Sequence, residues 1–174
     1  SGFQHVGGDK IHFYAESNVN IKKLNVQKMG EKDGYAILSL EDGKNPVSLK
    51  IGLSYVNAEN ASQNLKEEIG KADFEEIKKR ANNTWEDLLK TIEVTGGNEK
   101  QNELFYSSFY RSFLWPALRS DVNGEFKDVK GEIQKKDFNY YTNPSFWDTY
   151  RNKLVLLSIV SPEVTTDIIK TLID

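Results

Sequence analysis

Ile51-Gly52-Leu53-Ser54-Tyr55-Val56-Asn57-Ala58-Glu59-Asn60-Ala61 decides how the chain is read, because the hydrophobic period changes inside it. Before Asn57 the apolar residues Val47, Leu49, Ile51 and Leu53 fall at every second position, the period of a strand. After it, Ala58, Ala61, Leu65 and Ile69 recur at spacings of three and four, the period of a helix face, and Asn57 stands where a helix cap belongs.

Upstream of this switch, residues 10–16, 21–27, 35–40 and 47–56 read as four short strands. Gly7-Gly8-Asp9, Asp33-Gly34 and Asp42-Gly43-Lys44-Asn45-Pro46 separate them as turns. A sheet of such strands needs a partner sheet to cover its apolar face.

Downstream the reading is helical. Asp73-Phe74-Glu75-Glu76 opens a second helix with an acidic first turn, which complements the helix dipole. Its stripe runs through Phe74, Ile77, Ala81, Trp85, Leu88 and Ile92, and residues 92–94 read as a brief strand. A third helix over 99–114 carries Leu104, Phe105, Phe109 and Phe113 and stops at Trp115-Pro116. Asp121-Val122-Asn123-Gly124-Glu125 is a turn in a stretch without helical period that lasts to Tyr141. Pro144 and Pro162 suit the first turns of two more helices. The last of these meets no Gly or Pro stop before Asp174, and Ser1-Gly2 reads as a start partway through a chain, so a piece of a longer protein is expected. Strands first and helices afterwards give an α+β fold class.

Composition limits the function. With 174 residues, 38% hydrophobic and 28% charged, the chain has the balance of a folded protein rather than a disordered one. A net charge of −3 with Lys and Arg interleaved among Asp and Glu gives no basic stripe, so no nucleic-acid partner is expected. No apolar run approaches the roughly 20 residues needed to cross a bilayer. The absence of cysteine excludes disulfides, thiolate zinc sites and cysteine nucleophiles. With only His5 and His12, a histidine-rich metal site or a Ser-His-Asp triad is hard to build, and both histidines read as ordinary outward-facing residues. Two glycosylation sequons, Asn60-Ala61-Ser62 and Asn82-Asn83-Thr84, fall inside expected helices and carry no weight.

The cluster Tyr140-Tyr141-Thr142-Asn143-Pro144-Ser145-Phe146-Trp147-Asp148-Thr149-Tyr150-Arg151 is the candidate site. A carboxylate can accept hydrogen bonds from two sugar hydroxyls, and a tryptophan covers the apolar face of a sugar ring. The plainer reading is that Asp148 complements a helix dipole and pairs with Arg151 three residues on, while Trp147 is core. Residue chemistry alone leaves both readings open.

Several of these segments, in this order, resemble the calcium-dependent α-mannosidases of glycoside hydrolase family 92. Residues 105–112, Pro116, Ser120-Asp121-Val122-Asn123-Gly124, Tyr141 and Ser145-Phe146-Trp147-Asp148-Thr149-Tyr150-Arg151 carry the resemblance. Residues 51–61, 64–69, Phe74, Trp85 and Ile92-Glu93-Val94-Thr95-Gly96-Gly97 extend it upstream. Phe146 stands where family members often have Leu, a swap that keeps an apolar helix position.

The resemblance implies an architecture: residues 1–56 as the end of an N-terminal β-sandwich, 57–95 as a helical linker, and 96–174 as the start of an incomplete (α/α)6 barrel. It also implies an exo-acting enzyme that releases terminal α-linked mannose, foremost α-1,2-linked, with inversion. The partners would be mannose-containing glycans, met in a bacterial periplasm, at the cell surface or after secretion. Inversion requires a general acid and a general base roughly 6.5–9.5 Å apart. In the family these carboxylates and the calcium ligands lie downstream of the matched segments, so none of Asp121, Glu125 and Asp148 is given a proton-transfer role. Trp147 and Asp148 match the family's pocket for the terminal mannose. Such a piece is expected to be inactive alone and to self-associate through uncovered apolar faces.

Two other classes compete with this reading. A self-contained carbohydrate-binding module would present Tyr14, Tyr35 and Tyr55 from its strands, and would bind mannosides without calcium. A purely structural domain would bury Trp147.

Overall fold

A computed structural model describes residues 1–6, 9–29, 33–41, 46–143 and 145–174, leaving aside the side chains of Val6, Met29, Asp33 and Asp148. The fold is mixed α/β. Its first unit is a three-stranded antiparallel sheet, ordered β1 (Gly2–Val6), β2 (Asp9–Ser17), β5 (Leu49–Ser54). Between the last two, β3 (Ile21–Met29) and β4 (Asp33–Leu40) form a separate antiparallel ribbon. The strand β1 lies where the sequence shows no alternation, because its neighbours are Gly2, Gln4 and His5 rather than an apolar series.

The switch at Asn57 is built as its spacing indicates. Asn57 caps α1 (Ala58–Glu68), its side-chain oxygen accepting from the Asn60 amide at 2.7 Å. The helix lies on one face of β5 and β2, where Ala61 and Leu65 are buried. Gly52 makes this close approach possible: a Cβ there would stand 2.0 Å from the Ala61 carbonyl oxygen and 2.7 Å from Leu65 Cβ. His12 pairs with Ser54, Tyr14 with Gly52 and Glu16 with Lys50, so these side chains share the helix-bearing face. Ile51 and Leu53 point to the other face and are 47% and 57% exposed. That face is apolar, and no described element covers it.

Three helices follow the expected order with shorter bounds. Asp73 caps α2 (Phe74–Leu89), whose apolar stripe is open at Phe74 and half-buried at Ile77, Trp85 and Leu88, with the Trp85 ring 4.5 Å from that of Tyr110. Residues 92–94 form no strand, a correction to the sequence reading: a backbone that meets no neighbouring strand has no ladder to join. The helix α3 (Glu99–Ser112) starts with a reciprocal cap, Asn98 and Gln101 each bonding the other's amide at 3.0 Å. It ends at Ser112, two residues before the expected stop. Phe105, Phe109 and Phe113 pack along one side of it, the first pair of rings tilted at 34° and the second edge-on at 63°.

Residues 113–142 are irregular apart from a hairpin, β6 (Glu125–Lys127) with β7 (Ile133–Lys135), that the sequence reading does not foresee. Three-residue strands are too short to show a period. Phe126 is fully buried and its ring stacks on Tyr140, centroids 3.9 Å apart. Beyond it, the expected helix start at Pro144 lies outside the described residues, and α4 (Phe146–Thr149) is a single turn. The helices α5 (Lys153–Val160) and α6 (Pro162–Ile173) follow, α6 with Pro162 in its first turn as expected, and Leu157 and Ile168 are buried.

Gly52→Ala should therefore destabilise the sheet–helix unit by about 2 kcal/mol or more, since backbone and not a flexible side chain would have to move. Urea unfolding followed by far-UV circular dichroism checks this, and an unchanged midpoint would show that α1 does not rest on β5 this closely.

Candidate functional site

The polar centre of the molecule is the carboxylate of Asp121, only 7% exposed. Its Oδ2 accepts from Ser54 Oγ at 2.6 Å and from Asn60 Nδ2 at 2.8 Å, and its Oδ1 accepts from Asn64 Nδ2 at 2.7 Å. Asn64 also donates to the Leu53 carbonyl and accepts from the Val122 amide, at 2.7 and 3.0 Å. Ser54 closes the network by accepting from the Val56 amide at 2.9 Å. Three donors from β5 and α1 thus converge on one carboxylate of a distant turn. Among the described residues, no buried side-chain nitrogen or oxygen lacks a partner.

Glu125 lies at the rim of this network. Its Oε2 accepts from Asn60 Nδ2 at 2.9 Å and Asn123 Nδ2 at 3.2 Å. These bonds, Asn60's first, hold its carboxyl below the usual glutamate value, against the opposite pull of desolvation. The turn itself is fixed by Gly124 N to the Asp121 carbonyl, 2.8 Å, with Gly124 at a positive φ of 82°. The sequence reading recognises this turn but not its buried acid, since one Asp in a polar loop gives no sign of the asparagines 57 and 61 residues upstream that will meet it. Asn60 is held inside the network, which takes its sequon out of reach of glycosylation.

Arg119 makes a second attachment two residues away. Its guanidinium forks onto Asp9 at 2.9 and 3.1 Å, donates through Nε to the Lys127 carbonyl at 3.1 Å, and lies over the Tyr55 ring at 4.5 Å. His12 is half-buried rather than outward-facing, because its strand position places it on the helix-bearing side of the sheet. Burial lowers its pKa first, and the nearby Lys10 and Lys127 lower it further.

Trp147, in the one-turn α4, is 84% exposed in this chain. Asp148 lies in the same turn, but its side chain is outside the described residues. The one-turn α4 ends at Thr149, and Arg151 donates to Tyr150 Oη at 3.3 Å. Thr149 anchors the turn, buried and bonded to the Ser145 carbonyl at 2.8 Å. Three recesses border α2, of about 570, 330 and 810 Å³, lined in large part by apolar groups such as Trp85, Leu88 and Ile77, and Trp147 lines none of them. Calcium takes six to eight oxygen ligands. Among the described residues no three carboxylates or histidines converge to hold a cation, and Asp121 already accepts three hydrogen bonds from the protein. These residues do not fit a calcium site.

Residues 60–174 match the model of the glycosyl hydrolase family 92 catalytic domain. The chain belongs to glycosyl hydrolase family 92. A family 92 α-mannosidase from Bacteroides thetaiotaomicron superposes with a TM-score of 0.82 at 24% identity, covering 94% of this chain and 24% of that structure. An inverting mannosidase of the same family and organism gives a TM-score of 0.78 at 23% identity, covering 95% of this chain and 24% of that structure. The chain thus has the fold of a family 92 segment and spans about a quarter of the solved structures it matches. A protein of Arthroderma benhamiae described as an uncharacterized secreted glycosidase is 32% identical over 88 residues, 48% of this chain and 11% of that relative. Among the described residues no helix is long and apolar enough to cross a membrane.

The Glu125 pKa fixes a sign for pH dependence. A carboxyl held low in the folded state adds stability above its ordinary pKa, and that stability is lost as pH falls through the lowered value. Folded stability is expected to fall on acidification below about pH 4.5, and Glu125→Gln should flatten that part of the profile. Identical pH profiles for the two proteins in chemical unfolding would show that the asparagine bonds to Glu125 contribute nothing.

Proposed function

We propose that this chain is part of an exo-acting α-mannosidase that releases terminal α-mannose, foremost α-1,2-linked, from mannose-containing glycans with inversion, and that it supplies part of the pocket for that mannose. The observation that carries the reading is the exposed Trp147, set beside Asp148 on a short turn of a chain that belongs to family 92. Trp147 would form a wall of the pocket, and Asp148 would accept hydrogen bonds from mannose hydroxyls. The two Bacteroides mannosidase structures that this chain superposes on support the substrate class.

In this reading residues 1–56 are the last strands of a β-sandwich, 57–95 a helical linker and 96–174 the first helices of an (α/α)6 barrel. The uncovered apolar face of β5 and the half-buried stripe of α2 fit a chain whose remaining layers would pack there. The general acid, the general base and the ligands of a calcium ion would come from outside the described residues. When bound, calcium would supply a Lewis-acidic contact that orients the sugar. This chain's own part is to bind and orient the mannose ring, and by itself it would be inactive. The enzyme would work in a bacterial periplasm, at the cell surface or in the medium, and the secreted fungal glycosidase it resembles favours an extracytoplasmic site.

A self-contained binding module is the second reading. The strand aromatics do not favour it: Tyr55 lies under Arg119, Tyr14 faces α1, and Tyr35 belongs to the separate ribbon. The deciding assay offers an aryl α-mannoside and α-1,2-mannobiose, with and without calcium, to this chain and to a longer protein that carries it. Calcium-dependent release of mannose by the longer protein alone is expected, and Asp148→Ala should lower its kcat/KM about 100-fold or more. Silence from both proteins would sink the reading, and calcium-independent binding by this chain alone would favour the module.

A further inference from the structure

Residues 117–122 run in an extended, alternating course, and the alternation sorts their contacts. Arg119 and Asp121 reach towards the sheet and α1, to Asp9 and Tyr55 in one case and to Ser54, Asn60 and Asn64 in the other. Ser120 faces the opposite way and accepts from the Tyr140 amide at 2.7 Å. The backbone of the same stretch is paired with the segment that leads to Trp147. The Tyr140 carbonyl accepts from the Arg119 and Ser120 amides at 2.8 and 3.2 Å. Thr142 exchanges two bonds with Ala117, amide to carbonyl at 2.8 Å and amide to hydroxyl at 2.9 Å. Trp147 follows Thr142 by five positions, a tether of at most about 17 Å.

We propose that Arg119 and Asp121 are positioning residues, a two-point latch through which the sheet and α1 fix the place of the Trp147 turn. Neither side chain needs to touch the sugar. Each is a charged group held by several donors or acceptors at once, so each has one geometry and not a range of near-equivalent ones. The two anchor points sit on opposite sides of Ser120, which prevents the strand from pivoting about either one. The segment is also held from its other side, where the Tyr141 amide donates to Thr171 Oγ1 of α6 at 3.1 Å. Losing the latch should therefore loosen the Trp147 turn without unfolding the helices behind it. The structural part of this proposal stands by itself, and its effect on affinity rests on the mannosidase reading above.

The test uses a longer protein carrying this chain, with Asp121→Asn, Arg119→Lys and the milder Asp9→Asn, whose side chain is 43% exposed in the wild type and leaves no buried cavity. Leu65→Ala serves as a control that weakens the packing of the same unit while keeping every hydrogen-bonding group of the latch. Hydrogen exchange by mass spectrometry is expected to quicken about tenfold in peptides spanning 143–150 in the latch variants, with 163–173 unchanged. With an aryl α-mannoside, KM should rise about fivefold while kcat stays within about twofold, the signature of lost uniform binding. Exchange in 143–150 that matches the wild type, or a KM shift no larger than that of Leu65→Ala at equal loss of stability, would overturn the latch. If Asp121→Asn does not fold, Asp9→Asn and Arg119→Lys decide by the same two readings. A wild type with no mannosidase activity would remove the functional reading, and the exchange data alone would then decide the latch.

Discussion

A carboxylate taken out of water must be met by donors from the protein, and the rest of this structure is arranged around that requirement at Asp121. Ser54 comes from the last strand of the sheet, Asn60 and Asn64 from successive turns of α1, and the acid itself from a turn beyond a third helix. The asparagines lie four apart, so one face of α1, in this register, presents both to the acid. That register is set by the Asn57 cap and by the close seat of Ala61 and Leu65 over Gly52. Cap, glycine and buried acid are therefore one constraint seen at three places, and the family motifs around residues 51–61 and 120–124 are its two halves.

The apolar surfaces follow a different logic. Phe126 on Tyr140, and Leu65 under α1, are closed contacts with native-like burial. The outer face of β5 and the β3–β4 ribbon are apolar by pattern and open in space, and the stripe of α2 is only half-buried. Contiguous exposed apolar surface of this kind marks a place where another layer or partner packs, and the chain spans about a quarter of the solved structures it matches. The well-packed part of the fold is the junction between sheet, α1 and the 117–142 segment. The Trp147 turn hangs from this junction.

The turn that carries the candidate pair was legible in part. Trp147 and Asp148 stand out in the sequence because a tryptophan and an acid beside a helix start are an unusual pair, and the structure leaves Trp147 open to solvent. The single long helix expected around them was not found, because Tyr150 to Asn152 interrupt the turn before α5 begins. Arg119 gave no sequence signal at all. Its partner Asp9 lies 110 residues away, and no local pattern joins two such residues.

By itself the sequence determined where each strong element begins and what type it is, since caps such as Asn57, Asp73 and Asn98 and the change of period act within a few residues. It also determined the family, because motifs persist in order along the chain. Only the tertiary structure decided which polar residues are buried. Asp121, Asn60 and Asn64 look like solvated loop and helix residues until the turn folds back on α1, and their meaning is created by a contact across some 60 positions. The same holds for β1, β6 and β7, whose pairing depends on a neighbour and not on their own short, patternless runs.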